Sequence, residues 1–255
     1  KELVQELQSH GIRVLGSSII GLENHTPEKM DDVIEYAASH NTVFHQFMLY
    51  TPIPGTPLHE KLRNDGTLLP EVDRPAADNH GQYRFNYCHE HIKNGSETEF
   101  LCRAFRRDFE VNGPSLARMI RVMLVGWKRY KNHTDPCIRK RFHREMKDLG
   151  TTYCAAAWAM KRWYKNDREM RGKIGSILRD AYREFGWKSR ILAPIMGIFA
   201  YLAIGKEQKR LDRGWTYEPP IFYEKNARAL ELESLTDAEP CAVQQGALMH
   251  RPAMD

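Results

Sequence analysis

Imidazole is the side chain that titrates or binds metal most readily near neutral pH, and His25, His45 and His59 lie close together in the N-terminal third of this chain. Between the last two runs Tyr50-Thr51-Pro52-Ile53-Pro54-Gly55-Thr56-Pro57. Proline locks φ and glycine permits φ > 0, so this stretch is a rigid, sharply turning loop. A stiff loop after a strand is a common seat of binding chemistry, and an ordinary strand-to-helix connection is the competing reading. The histidine spacing follows no ligand pattern, so solvated or core histidines are favoured over a metal site. The cysteines, Cys88, Cys102, Cys137, Cys154 and Cys241, are odd in number and widely spaced. Neither CxxC nor CxxxCxxC occurs, so the chain has no local zinc or iron–sulfur motif. They read as reduced thiols, core or incidental, with a site built from distant cysteines as the minor alternative.

These groups need elements to hold them. A chain of 255 residues, 42% hydrophobic and 28% charged, is long and apolar enough for one or two globular domains. Its net charge of +5 permits an anionic substrate, nucleic acid or an anionic membrane surface, and demands none of them. The first residues already read as an amphipathic helix on Leu3, Val4 and Leu7, stopped by Gly11. With no signal peptide and no initiator methionine, the chain is expected to begin inside a domain of a longer cytoplasmic protein.

Ile12 to Ile20 is strand-like with little alternation, which predicts a sheet covered on both faces, and Gly21 ends it. Thr26-Pro27-Glu28 is a helix start, followed by Met30, Val33, Ile34 and Ala37 on one face. Val43 to Tyr50 is a second strand leading into the proline loop, and Leu58 to Arg63 a short helix. Strand, helix, strand is βαβ logic, and two strands do not make a stable parallel sheet alone. Residues 71–95 read as an irregular linker that wraps the surface. Ser96 with Glu99 reads as a capping box. After it come helices opened by Gly113-Pro114, by Thr134-Asp135-Pro136 and by Thr151, the last running to Phe185 with a bend at Gly172 or Gly175. Residues 224–255 are expected to be disordered.

Ser17-Ser18-Ile19-Ile20-Gly21-Leu22-Glu23-Asn24-His25-Thr26-Pro27-Glu28, with Pro52-Ile53-Pro54-Gly55-Thr56-Pro57-Leu58 one helix and one strand later, resembles the last third of a radical S-adenosylmethionine barrel. The similarity is greatest to the subgroup with a cobalamin-binding domain upstream and a helical tail. It covers residues 1–70 well and the helical region loosely. The resemblance implies a fold class of α/β, the last βα units of a partial barrel, followed by an all-α C-terminal domain over 96–223. It implies a 4Fe-4S cluster on a CxxxCxxC loop, reductive cleavage of S-adenosylmethionine to a 5′-deoxyadenosyl radical, and cobalamin in the complete protein. Ser17, Ile19 and Gly21 would lie on the S-adenosylmethionine side. Tyr50, Pro52, Pro54, Gly55 and Thr56 would frame the barrel mouth, although a loop-bracing hydrogen bond is the favoured role for Tyr50 and Thr56. Where the family often carries glycine and an acidic residue, this chain has Ser17 and Asn24. The cluster cysteines are absent, so the chain alone is expected to be inactive, with no catalytic and no metal residue of its own.

The helical region offers a rival reading. Residues 113–150 carry ten basic against three acidic side chains, a balance of +7, and Arg139, Lys140, Arg141, His143, Arg144 and Lys147 lie off the Ile138/Phe142/Met146 stripe. Such a face can track phosphates, and a solvated face is the favoured alternative. Ile191 to Ile204 has no charge. At ~1.5 Å per residue it spans roughly 21 Å, short of the ~30 Å hydrocarbon core. Basic residues flank it across 188–213. A buried helix is favoured, with an in-plane membrane segment second. The expected partners are the upstream part of the same protein and a small-molecule or lipid-like substrate, then a membrane surface. Nucleic acid ranks last.

Overall fold

The computed structural model describes residues 1–69, 84–147 and 149–213. The chain is mostly helical with one small sheet. In order it forms α1 (Glu2–Ser9), β1 (Leu15–Ile20), a 3-10 turn (Pro27–Lys29), α2 (Met30–Ala38), β2 (Phe44–Leu49) and α3 (Pro57–Asn64). Then come α4 (Ser96–Asn112), α5 (Ser115–Tyr130), α6 (Pro136–Glu145), a π turn (Leu149–Tyr153), α7 (Cys154–Trp163) and α8 (Arg168–Asp212). Everything described from Ser96 onward is helix or connection, as the sequence predicts for the C-terminal region. The expected disorder of 224–255 lies outside the described residues.

Local chemistry explains most boundaries. Pro57 opens α3 behind Thr56, whose hydroxyl accepts from His59 N–H at 3.3 Å. Asp135 caps α6, accepting from Cys137 N–H at 2.7 Å, and Asp167 caps α8, accepting from Met170 N–H at 2.8 Å. Ser96 does not make the expected capping box: its hydroxyl donates to Lys93 O at 2.8 Å, and the residue before α4 is Gly95 at φ 76°.

β1 and β2 pair in parallel, from Val43 N–H on Val14 O to Tyr50 N–H on Ile20 O. The sheet is not covered on both faces, contrary to what the unbroken apolar run predicts. Along β1 Leu15, Ser17 and Ile19 are exposed, and along β2 Phe44, Gln46 and Met48 are exposed. One face of the sheet is open, because no described element packs on that side. Two strands with an open face are not, in this structure, part of a barrel.

The chain groups into two compact units. The first comprises residues 1–18, 31–47 and those from 104 onward. Its core joins Ile120, Met123 and Leu124 of α5 to Leu149, Ala157, Met160, Ile174 and Leu178. Within it α1 meets α5 at two glycines: a Cβ on Gly126 would stand 2.7 Å from the Gly11 Cα and 2.8 Å from the Phe142 ring. Arg118 and Asp108, both buried, form a two-pronged ion pair at 2.7 and 3.1 Å. The same guanidinium donates to Thr42 O at 2.9 Å, and Asn112 donates to Ala38 O and to Asp108. α4, α5 and the α2–β2 turn are thus tied by charged hydrogen bonds, beside the packing of Phe109 on the apolar core.

The helix predicted from Thr151 to Phe185 is instead broken at Tyr164–Asp167, between α7 and α8. Gly172 and Gly175 stay helical, and the break inside α8 is Gly186, at φ 76° and ψ −158°. Only glycine takes that conformation readily. Gly175 faces Lys161 and Gly150 faces Phe185, whereas beyond the break Gly197 faces Trp158 and Gly205 faces Trp163. The chain therefore runs back along α7 before Gly186 and forward along it afterwards.

The second unit comprises residues 19–30 and 48–103. Its buried side chains include Ile20, Met30, Leu49, Phe85, Tyr87, Ile92, Phe100 and Leu101. Residues 84–95 are irregular, as expected of a linker, but they do not wrap the surface: Phe85, Asn86, Tyr87, His89 and Ile92 are all buried.

Candidate functional site

Gly21 ends β1 at φ 87°. A Cβ there would fall 2.2 Å from the Phe85 ring, so only glycine fits. Its N–H donates to His25 Nδ1 at 3.2 Å, and its carbonyl accepts from the Tyr87 hydroxyl at 3.1 Å. Leu22 repeats the pattern: its N–H reaches His25 Nδ1 at 3.3 Å, and its carbonyl meets His89 Nε2 at 3.2 Å. His89 Nδ1 in turn accepts from the N–H groups of His91 and Ile92 at 3.1 and 3.0 Å. Two acceptances at Nδ1 require His89 to be the neutral tautomer protonated on Nε2, which then donates to Leu22 O. By the same argument the His25 Nδ1 is unprotonated.

Electrostatics agree with this geometry. Burial, then the neighbouring His89, hold the His25 imidazole below its ordinary range. Burial does the same to His89, against the opposing pull of the Leu22 carbonyl. Burial pushes the Tyr87 phenol well above its usual range, reinforced by Tyr50, Glu23 and Glu97. The aromatic rings pack closely, Phe85 stacking on His89 at 5.2 Å between centroids. This histidine–tyrosine knot is neutral, and its donors and acceptors satisfy backbone.

The proline loop divides into a braced and an exposed part. Tyr50 N–H pairs with Ile20 O at 2.8 Å. Pro52 is fully buried, and its carbonyl accepts from Asn86 at 3.3 Å. The Thr56 hydroxyl donates to Ile53 O at 2.7 Å as well as capping α3, so its oxygen braces the loop. Ile53, Pro54 and Gly55 are exposed.

The S-adenosylmethionine-side residues separate in the same way. Ser17 and Ile19 lie on the open face of β1 with side chains accessible. Gly21 has both backbone polar groups and its Cβ direction taken up by the knot. Ser17 and Ile19 therefore fit a ligand lying on the strand, and Gly21 fits one only by giving up those bonds. For an iron–sulfur cluster the residues do not fit: among the described residues no group of three or more His, Cys, Asp or Glu could hold a metal ion. Cys102 and Cys137 are exposed, Cys88 is half-buried, and burial pushes the Cys154 thiol up to about 11.

A further side-chain contact joins the two strands. His45 Nε2 lies 2.9 Å from the Ser18 hydroxyl, and its Nδ1 lies 3.3 Å from the Thr42 hydroxyl, which donates to Phe44 O. Gly16 leaves room for the ring, since a Cβ there would meet it at 2.8 Å. Ser18 and His45 are 27 residues apart on neighbouring strands, and alternation, which turns both to the covered face of the sheet, is the sequence signal for this contact. Burial lowers the His45 basicity, opposed by Asp108. On α6, Arg141 pairs with Glu145 and Arg139 donates to His133 O, while Lys140, Arg144 and Lys147 are exposed.

No protein-family model matches the chain, and no curated protein or solved structure is similar to it.

Proposed function

We propose that this chain is the C-terminal part of a radical S-adenosylmethionine protein of the cobalamin-domain type, whose complete form is an enzyme of radical methylation, cyclisation or rearrangement. The observation that carries the reading is the open apolar face of the β1–β2 sheet. Parallel sheets are ordinarily buried on both faces and need more than two strands. Leu15, Ile19, Phe44 and Met48 are therefore apolar residues awaiting neighbours, as two strands of a larger barrel would be. The motif resemblance supplies the family.

In this reading the cluster and its cysteine ligands belong to preceding strands. S-adenosylmethionine, when bound, supplies the adenosyl group on which the radical chemistry runs. The chain itself supplies Ser17 and Ile19 as the strand surface beside the adenosine, an apolar wall and a hydroxyl that exclude water and orient the ring. Ile53, Pro54 and Gly55 form the rim of the mouth, held by Pro52 and Thr56. The substrate is a small or lipid-like molecule meeting that rim.

The test is anaerobic iron–sulfide reconstitution of the complete gene product containing this chain, followed by assay of 5′-deoxyadenosine. The expected result is product formation by the complete protein and none by residues 1–255 alone. Ile19→Asp should raise the KM for S-adenosylmethionine more than tenfold, since a carboxylate would displace an apolar wall. A complete product without CxxxCxxC, or one that takes up no cluster, would overturn the reading.

A further inference from the structure

Beyond Gly186, α8 distributes its side chains in reverse of a soluble helix. The buried residues here are small: Ser189, Ala193 and Gly197, the last against Trp158 of α7. The residues turned outward are large and apolar: Trp187, Ile191, Ile195, Ile198, Leu202 and Phe199, the last 71% exposed. At 3.6 residues per turn these six cover about a third of the circumference as one continuous strip. Of the most apolar eighteen-residue window in α8 only 17% is buried. The sequence favours a buried helix here; the structure corrects that, because a stripe of small residues is all that the contact with α7 requires.

Cations bracket the uncharged run. Lys188 and Arg190 interrupt the strip in sequence between Trp187 and Ile191, before that run, and Lys206, Lys209, Arg210 and Arg213 follow it. The last four, with Trp163 and Tyr201, line an open cavity of about 450 Å³ at the end of the arm. Arg210 pairs with Glu207 at 3.1 Å. Lys206, Lys209 and Arg213 have no acidic partner among the described residues. An apolar strip closed by basic residues, with Trp and Tyr at the polar boundary, matches the layering of an anionic bilayer surface: acyl chain, interface, phosphate.

We propose that the arm from Trp187 to Asp212 lies in the plane of an anionic membrane surface. Its apolar strip enters the acyl boundary, and Lys206, Lys209 and Arg213 hold lipid phosphate. By length and composition α8 could cross a membrane, but the uncharged run alone, roughly 21 Å long, falls short of a hydrocarbon core of ~30 Å, and its other side is occupied by α7. The inference does not rest on the barrel reading.

The experiment is flotation of the full chain with vesicles of phosphatidylcholine alone and of phosphatidylcholine mixed with phosphatidylglycerol. Binding is expected to the mixed vesicles, weakening at high salt. Lys206→Ala and Lys209→Ala should each weaken it about fivefold. Phe199→Glu, on an exposed position, should weaken it more than tenfold while leaving the circular dichroism unchanged. No binding to mixed vesicles, or equal binding by the Phe199→Glu and wild-type chains, overturns the proposal. So does a vesicle-independent dimer by light scattering that Phe199→Glu disperses, because the strip would then be an interface between copies.

Discussion

His25 and His89 each hold two backbone N–H groups on a single unprotonated Nδ1. Protonating that nitrogen turns an acceptor into a donor, and both bonds are lost together. The consequence for stability has a definite sign. Both native imidazoles sit below the unfolded value of about 6.5, chiefly through burial. The unfolded chain therefore binds the proton more tightly, and stability rises with pH between the two values. Stability should be complete above about pH 6.5 and decline as the pH falls below it, levelling off once the native imidazoles also titrate. Urea midpoints measured between neutral and mildly acidic pH check this. His25→Asn, which keeps an acceptor at the Nδ1 position but cannot titrate, should make the decline shallower; an unchanged acid limb would assign the loss to other groups. His25 was visible in the sequence as a residue beside a strand end, but its job was not. Its partners include Gly21 and Leu22, which in turn bond to Tyr87 and His89 more than sixty residues on. Nothing in local spacing encodes so distant a contact, and the same separation hid the Arg118–Asp108 bond to Thr42.

For whole elements, two opposed effects meet at Gly126 in the middle of α5. Helix propensity alone makes alanine better than glycine by ~1 kcal/mol. Against that, a Cβ there would lie 2.7 Å from the Gly11 Cα, a backbone atom that cannot swing aside. Overpacking costs typically 1–3 kcal/mol, and with Gly11 held at φ 78° the α1–α5 crossing cannot relax. Gly126→Ala should therefore lower the melting temperature, whereas Gly172→Ala, with open space at the Cβ, should raise or keep it. Thermal unfolding of the pair separates packing from propensity directly. Helix starts were legible where a side chain and the next few backbone amides suffice, as at Thr56-Pro57 and Asp135-Pro136. The break in α8 was not: three glycines at 172, 175 and 186 look alike in sequence, and only the tertiary reversal beside α7 selects Gly186.

Across the whole molecule, the helical C-terminal region follows from periodicity, and the strand–helix–strand order from apolar runs. The irregular stretch from Phe85 to Ile92 carries no period, so its burial follows only from side chains that satisfy its backbone. The open sheet face was misjudged for a related reason: a run such as Leu15 to Ile20 is equally apolar whether its second face is covered or waiting. Exposed Phe44 and Met48, beside strand edges that no other described strand pairs, invite association between chains. Light scattering should show the isolated chain self-associating as concentration rises. Phe44→Lys together with Met48→Lys should suppress that association without loss of helix signal, and persistence of the large species would place the contact elsewhere.

Ser189, Ala193 and Gly197 let the arm approach α7 closely, yet side chains so small withdraw little apolar area from water. The arm is joined to the rest of α8 through one glycine in a conformation other residues avoid. Such a segment can detach as a cooperative piece while the core around Ile120, Leu149 and Ile174 stays shut. In deuterium exchange the amides of the arm should then exchange long before those of the core. The lifetime of the protein's protection is therefore set at two levels, and the surface with the most to gain from a cover is the one released first.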